Sequence, residues 1–197
     1  MSKNLKEAVG CNHSGSRRRF LSLCAGAFAL AASSVSRPTF AKPALITPER
    51  SLSFYNLHTG ESLKTAYWAD GKYIPEAMSE INFLLRDFRN GEIKPINPEL
   101  LDTLHLLTRR LNTSSPIHLV SGYRSPSTNA QLHARSSGVA RHSLHMEGMA
   151  ADIRIPGRDL KKLFNVARIV RAGGVGYYPK SDFVHVDVGR IRHWTGA

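Results

Sequence analysis
Two short blocks of this chain concentrate side chains able to hold a metal ion. Ser143-Leu144-His145-Met146-Glu147-Gly148-Met149-Ala150-Ala151-Asp152 supplies a histidine and an aspartate, and Asp182-Phe183-Val184-His185-Val186-Asp187 supplies a histidine between two aspartates. Zinc takes imidazole nitrogen and carboxylate oxygen, and three protein ligands with one position left for water mark a catalytic site, whereas a structural site closes all four. His145, Asp152 and His185 make such a set. Two neutral imidazoles and one carboxylate would leave the ion about one net positive charge, which acidifies a bound water toward a pKa of about 7 and polarises a carbonyl. The chemistry predicted is metal-assisted hydrolysis.

Such a site also needs a base within hydrogen-bond reach of the water. Asp182 lies three residues before His185, and Asp187 two after it on the same face of a strand. Asp182 is the preferred base and Asp187 the group that orients a histidine from behind. The reverse assignment stays open. A tetrahedral oxyanion needs a positive donor, and Arg124, delivered by Ser121-Gly122-Tyr123-Arg124-Ser125 at the end of a buried strand, is the candidate.

The elements around these blocks follow from apolar spacing. Leu52–Leu57 and Leu63–Trp68 read as a hairpin across His58-Thr59-Gly60-Glu61, and Asp70-Gly71 turns the chain again. Pro75 opens a helix with Met78, Ile81, Leu84, Leu85 and Phe88 on one side, ended by Asn90-Gly91. Asn97-Pro98-Glu99 starts a second helix that buries Leu100, Leu101, Leu104, Leu107 and Leu111. Residues 117–120 form a short buried strand, and Ser125-Pro126 caps a helix to about Ser136, with Gly138 after it.

In a strand over 150–155, Ala151, Ile153 and Ile155 face one way and Ala150, Asp152 and Arg154 the other. An amphipathic helix follows over 159–171, then strands at 174–178 and 183–188. In the last, Val184, Val186 and Val188 point to the core, opposite Phe183, His185 and Asp187. Two of the three ligands thus ride on strands, a rigid support for a metal site. The order predicts an α+β fold, a small, mostly antiparallel sheet with flanking helices.

Other signals have plainer readings. His58, His105, His118, His133 and His193 read as turn, surface or partly buried residues rather than ligands. His142 lines a cleft or faces solvent. Tyr177 and Tyr178 stack on a substrate or fill a sheet face, and Trp68 and Trp194 read as packing residues. The Gly173-Gly174-Val175-Gly176 run gives a tight turn into a strand rather than a phosphate loop, since no helix start follows it.

The N-terminus reads as an export signal. Ser16-Arg17-Arg18-Arg19-Phe20-Leu21 is a twin-arginine arrangement leading into a modest apolar run, and Thr39-Phe40-Ala41 offers small residues for cleavage after Ala41. The run is too short and weak for a permanent membrane span. The expected division is a leader at 1–41 and one catalytic domain at 42–197, placed in the periplasm. Cys11 and Cys24 are the two cysteines of the chain, so residues 42–197 have none and must rely on their core rather than on disulfides. The whole chain carries 27 Lys/Arg against 15 Asp/Glu, a net charge of +12, and residues 42–197 keep a net charge of +7. A basic surface favours a polyanion. For an exported protein the acidic cell-wall polymer suits better than nucleic acid, which is not an expected partner.

Taken together, Ser121–Ser125, the S-x-H-x-x-G-x-A-x-D block at 143–152 and D-x-x-H at 182–185 resemble the zinc D-alanyl-D-alanine carboxypeptidase and dipeptidase family, VanY- and VanX-like, within the wider group sharing the Hedgehog-type zinc fold. The leader, the Ser143–Gly148 run, Gly173–Pro179 and Phe183–Asp187 are most similar to the exported murein endopeptidases of that family. The resemblance covers essentially all of 42–197, most firmly 117–194. It implies zinc on His145, Asp152 and His185, Arg124 near the substrate carbonyl and Ser143 beside the substrate. It also implies hydrolysis of peptide cross-links in peptidoglycan, including links between two diaminopimelate residues. Relatives of the carboxypeptidase type carry Glu where this chain has Asp182, which is shorter and bears on its role as base. A noncatalytic wall-binding module on the same zinc fold, or a carboxypeptidase trimming terminal D-alanine, are the competing readings.

Overall fold
Alternation of apolar residues sets the first strand. Arg50–Asn56 (β1) buries Leu52, Phe54 and Asn56 and pairs antiparallel with Ser62–Ala69 (β2). The computed structural model describes residues 48–136, 138–171 and 173–196. The leader, its cleavage point after Ala41 and most of the segment before β1 lie outside the described residues. A two-residue strand, Lys72–Tyr73 (β3), follows the Asp70-Gly71 turn against β2. Then come helix Pro75–Leu84 (α1), helix Pro98–Arg110 (α2), strand Ile117–Ser121 (β4), helix Pro126–Arg135 (α3), a 3-10 turn at Leu144–Glu147, strand Ala150–Arg154 (β5), helix Leu160–Val170 (α4) and strands Gly174–Tyr178 (β6), Phe183–Asp187 (β7) and Arg192–Thr195 (β8).

All eight strands join one sheet in the order β3-β2-β1-β4-β5-β7-β6-β8. The β1–β4 and β6–β8 pairs are parallel and the others antiparallel. The sheet is therefore mostly antiparallel, and it is larger than the small sheet expected. The N-terminal hairpin is continuous with the central strands through β1–β4, and β8 extends the far edge.

Helix caps are those the sequence predicts. The Asn97 side chain accepts from Glu99 N at the start of α2, and Ser125 accepts from Thr128 N at the start of α3. Helix α2 buries Leu100, Leu101, Leu104 and Leu107, and α4 buries Leu163, Phe164 and Ala167. Each fully buried leucine or phenylalanine contributes roughly 1.5–3 kcal/mol. These two helices pack on each other, α2 also on β1 and α4 also on β6 and β7. Ala151, Ile153, Val184 and Val186 join their core cluster.

Helix α1 stops earlier than its apolar spacing predicts. Leu85 is already its C-cap, and Phe88 leaves the helical face to stack on His58 at 3.9 Å. The cause is distant in sequence. The Leu85 carbonyl accepts from Tyr123 N at 2.7 Å, and Asp87 N turns to Glu92 O. No helix among the described residues is long and apolar enough to cross a membrane.

Candidate metal centre
Strands β5 and β7 pair with Asp152 directly opposite His185 and Ala150 opposite Asp187. The period of two that sends Ala151, Ile153, Val184 and Val186 to the core sends Asp152, His185 and Asp187 to the other face. His145 arrives from the 3-10 turn, whose N-cap Ser143 accepts from His145 N at 3.4 Å. One donor atom from each of His145, Asp152 and His185 lies within 4.8 Å of the others.

The separations within this group fit a small divalent ion. His145 Nε2 is 3.2 Å from His185 Nδ1 and 3.2 Å from Asp152 Oδ1, which is 2.9 Å from His185 Nδ1. Donors on a tetrahedral ion with bonds of about 2.0–2.1 Å stand about 3.3 Å apart. Each ring is held by its other nitrogen. His145 Nδ1 meets the Gly122 carbonyl at 2.7 Å, and His185 Nε2 meets Asp187 Oδ2 at 3.1 Å. A proton on each of those nitrogens leaves Nε2 of His145 and Nδ1 of His185 free to coordinate.

Asp187 is fully buried and fully used. Besides His185 it accepts from Gly174 N at 2.8 Å, Gly189 N at 2.9 Å and Arg192 at 2.7 Å. Burial alone would raise its pKa, but the bonds from His185 and Arg192 hold it well below the usual carboxylate range. Gly174 is required here, because a Cβ would fall 2.5 Å from the Asp187 carboxylate. Part of the glycine run read as a turn thus makes room for this ion pair. Asp152 follows the same logic: burial opposes its charge, yet neighbouring His145 and bonds from both histidines keep it far below the ordinary value. Burial also works against the His185 imidazolium, but Asp152 and Asp187 outweigh it and push its pKa up to about 9.

The 121–125 run is shaped around His145. The Gly122 carbonyl holds the ring, and Arg124 N donates to His145 O at 3.1 Å. Gly122 must lack a side chain, since a Cβ would sit 2.5 Å from the Leu85 carbonyl oxygen. Ser125 N donates to buried Asp87 at 2.9 Å, which pins the end of the run. Arg124 reaches to 3.8 Å from Asp152 Oδ2 and 3.4 Å from Asn129 Oδ1, and its buried Nε has no hydrogen-bond partner among the described residues. Burial lowers the Arg124 pKa, and Asp152 partly restores it. A guanidinium so poorly compensated favours an additional negative oxygen nearby.

His145, Asp152, His185 and Arg124 line a cleft of about 640 Å³ together with Ser143, Tyr178, Phe183 and Trp194. The structure brings together His145, Asp152, His185, Arg124, Ser143 and Asp187. It places Asp182 at the entrance of β7 with φ of +53°, 61% exposed, its carboxylate on Arg154 at 2.6 Å. Its neighbours Ser181 and Phe183 line the cleft. Arg192, Trp194 and Asn129 went unread in the sequence as parts of the site. Trp194, read as packing, sits 5.3 Å from the His185 ring and lines the cleft. Tyr177 packs on Phe164 instead, at 5.2 Å.

Comparison with known proteins adds the following. The family model Peptidase_M15_2, described as peptidoglycan L,D-endopeptidase MepK, matches residues 45–194. The chain is 47% identical over 179 residues to peptidoglycan L,D-endopeptidase MepK of Escherichia coli, covering 90% of this chain and 96% of that protein. It is 37% identical over 182 residues to the probable peptidoglycan L,D-endopeptidase MepK of Haemophilus influenzae, covering 92% and 96%. The crystal structure of Serratia marcescens L-Ala D-Glu endopeptidase ChiX aligns over 48% of this chain and 68% of its own, with 18% identity and a TM-score of 0.33.

Proposed function
This chain belongs to the Peptidase_M15_2 family of peptidoglycan L,D-endopeptidases, and on that premise we propose that it is an exported zinc endopeptidase that hydrolyses peptide cross-links of peptidoglycan. The observation that carries the zinc reading is the convergence of His145 Nε2, Asp152 Oδ1 and His185 Nδ1 in a cleft with Arg124. The links between two diaminopimelate residues are the bonds cut. The Hedgehog-type zinc fold, the domain at 42–197, the twin-arginine leader at 1–41 and the periplasm belong to the same reading.

His145, Asp152 and His185 would hold the zinc. Bound zinc would supply Lewis acidity to polarise the scissile carbonyl and activate water. Asp187 fixes the His185 ring from behind, and the Gly122 carbonyl does the same for His145. Arg124 neutralises negative charge that develops on the carbonyl oxygen, in a site where burial strengthens the interaction. Ser143 borders the substrate. Asp182 takes the proton of the attacking water after turning from Arg154, an exposed pair that costs little to break, about 0–1 kcal/mol. Asp187, committed to four donors, stays in its orienting role.

The test is digestion of purified sacculi by the protein, with and without chelator, beside His185→Ala, read by mass spectrometry. Cross-linked dimers should disappear as monomers accumulate, and both chelator and substitution should stop this. Intact dimers in the presence of bound zinc would overturn the reading in favour of a wall-binding module. Release of free D-alanine from monomeric pentapeptides would point to a carboxypeptidase.

A further inference from the structure
We propose that Tyr178 is a substrate-binding residue whose hydroxyl, turned by Trp194, donates its proton to an acceptor oxygen of the murein peptide; this rests on the endopeptidase reading above. Three observations meet here. Trp194 Nε1 donates to the Tyr178 hydroxyl oxygen at 2.9 Å. An indole N–H only donates, so the tyrosine oxygen accepts and its own proton is left for another partner. Among the described residues no acceptor takes that proton, and both rings line the cleft that holds His145, Asp152 and His185.

The sheet register explains why the indole lies there. Gly176 of β6 stands between His185 of β7 and Trp194 of β8. With no side chain at Gly176, the Trp194 ring lies across the strand, touching His185 on one side and reaching Tyr178 on the other. Tyr178 is fixed from its second face by Phe183, stacked at 4.5 Å. The hydroxyl therefore has a set position and direction before substrate arrives, as a specificity donor needs. Arg124 and Tyr178 line the same cleft, so the two donors face one bound substrate. Tyr177, on the opposite face against Phe164 and Lys161, has no such setting.

The test uses purified protein and a defined cross-linked muropeptide dimer. Tyr178→Phe keeps the ring stacked on Phe183 and removes only the hydroxyl. Its kcat/KM should fall about 3- to 10-fold, the worth of one neutral hydrogen bond, with zinc content and Tm unchanged. Trp194→Phe should also lower kcat/KM, and the double variant should be no slower than Tyr178→Phe alone, because the indole acts through the hydroxyl. Tyr177→Phe should match wild type. A Tyr178→Phe loss below threefold, or full additivity in the double variant, overturns the assignment. If wild type cleaves no murein, the endopeptidase reading fails, and titration of the dimer into chelated protein decides Tyr178 separately. Weaker binding by Tyr178→Phe supports it; equal binding, or none by wild type, sinks it.

Discussion
The carboxylate of Asp187 lies behind the His185 ring and takes its Nε2 at 3.1 Å, so that Nδ1 faces Asp152 and His145. A ring otherwise free to rotate is thus fixed in one orientation and one tautomer. Asp187→Asn should weaken zinc binding about 10- to 100-fold and lower murein hydrolysis with it. Competition against a chromophoric chelator measures the first effect. Unchanged zinc affinity would show that the sheet alone orients the imidazole.

Proton release should accompany metal loading. In the metal-free protein the His185 pKa is pushed up to about 9 from an ordinary 6.5. Its contribution to stability is therefore fully present below about pH 6.5 and lost as pH rises through about 9. Zinc must displace that proton, so apparent zinc affinity should climb with pH and level off near 9. Affinities measured across this range, with proton release on zinc addition followed in a weakly buffered dye solution, check both signs. The depressed Asp152 and Asp187 carboxylates act oppositely, their stabilisation being lost as the solution turns strongly acidic.

Asp182 separates chemistry from metal holding. Asp182→Asn should reduce kcat by roughly 100-fold or more, the scale of a lost general base, while zinc affinity stays at the wild-type value. Asp182→Glu should recover part of the rate. A fully active Asp182→Asn protein would remove this residue from the mechanism and leave its pairing with Arg154 as its whole role.

Gly122→Ala tests the frame rather than the ligands. Its Cβ would meet the Leu85 carbonyl oxygen at 2.5 Å, so backbone must shift on both sides. A loss of about 1–3 kcal/mol is expected from overpacking, read by urea denaturation. The same shift moves the carbonyl that holds His145, so zinc affinity should fall in parallel. Destabilisation without any change in zinc affinity would uncouple the two.

Zinc itself should raise stability. At a free concentration of 100 times its Kd, a ligand that binds only the folded chain adds about 2.7 kcal/mol. Thermal unfolding with and without chelator should show this for wild type and not for Asp152→Ala.

The three candidate ligands were legible because each sits in a short local block, and strand alternation assigns a face to two of them, Asp152 and His185. Asp152 and His185 each sit between apolar residues that seek the core, so their own direction follows. The cleft wall was harder to read. Trp194 is carried by β8, half-exposed and rich in Arg and His, and it joins the sheet by parallel pairing with β6. Nothing local in the sequence of Arg192–Thr195 announces that partner. The early end of α1 is similar: Leu85 fits a helical face, but its carbonyl is claimed by Tyr123 from far along the chain. Asp182 shows a third kind of difficulty, since spacing fixes its place beside His185 but not the direction of an exposed side chain at positive φ.

The direct pairing of Asp152 with His185 has a consequence for folding. A slip of one residue between β5 and β7 would set a valine opposite Asp152 and turn His185 inward, scattering the ligands. Tight metal uptake is then a gauge of alignment. Followed during refolding, it would time the moment at which the two central strands lock into their native match, before or after the outer hairpin closes.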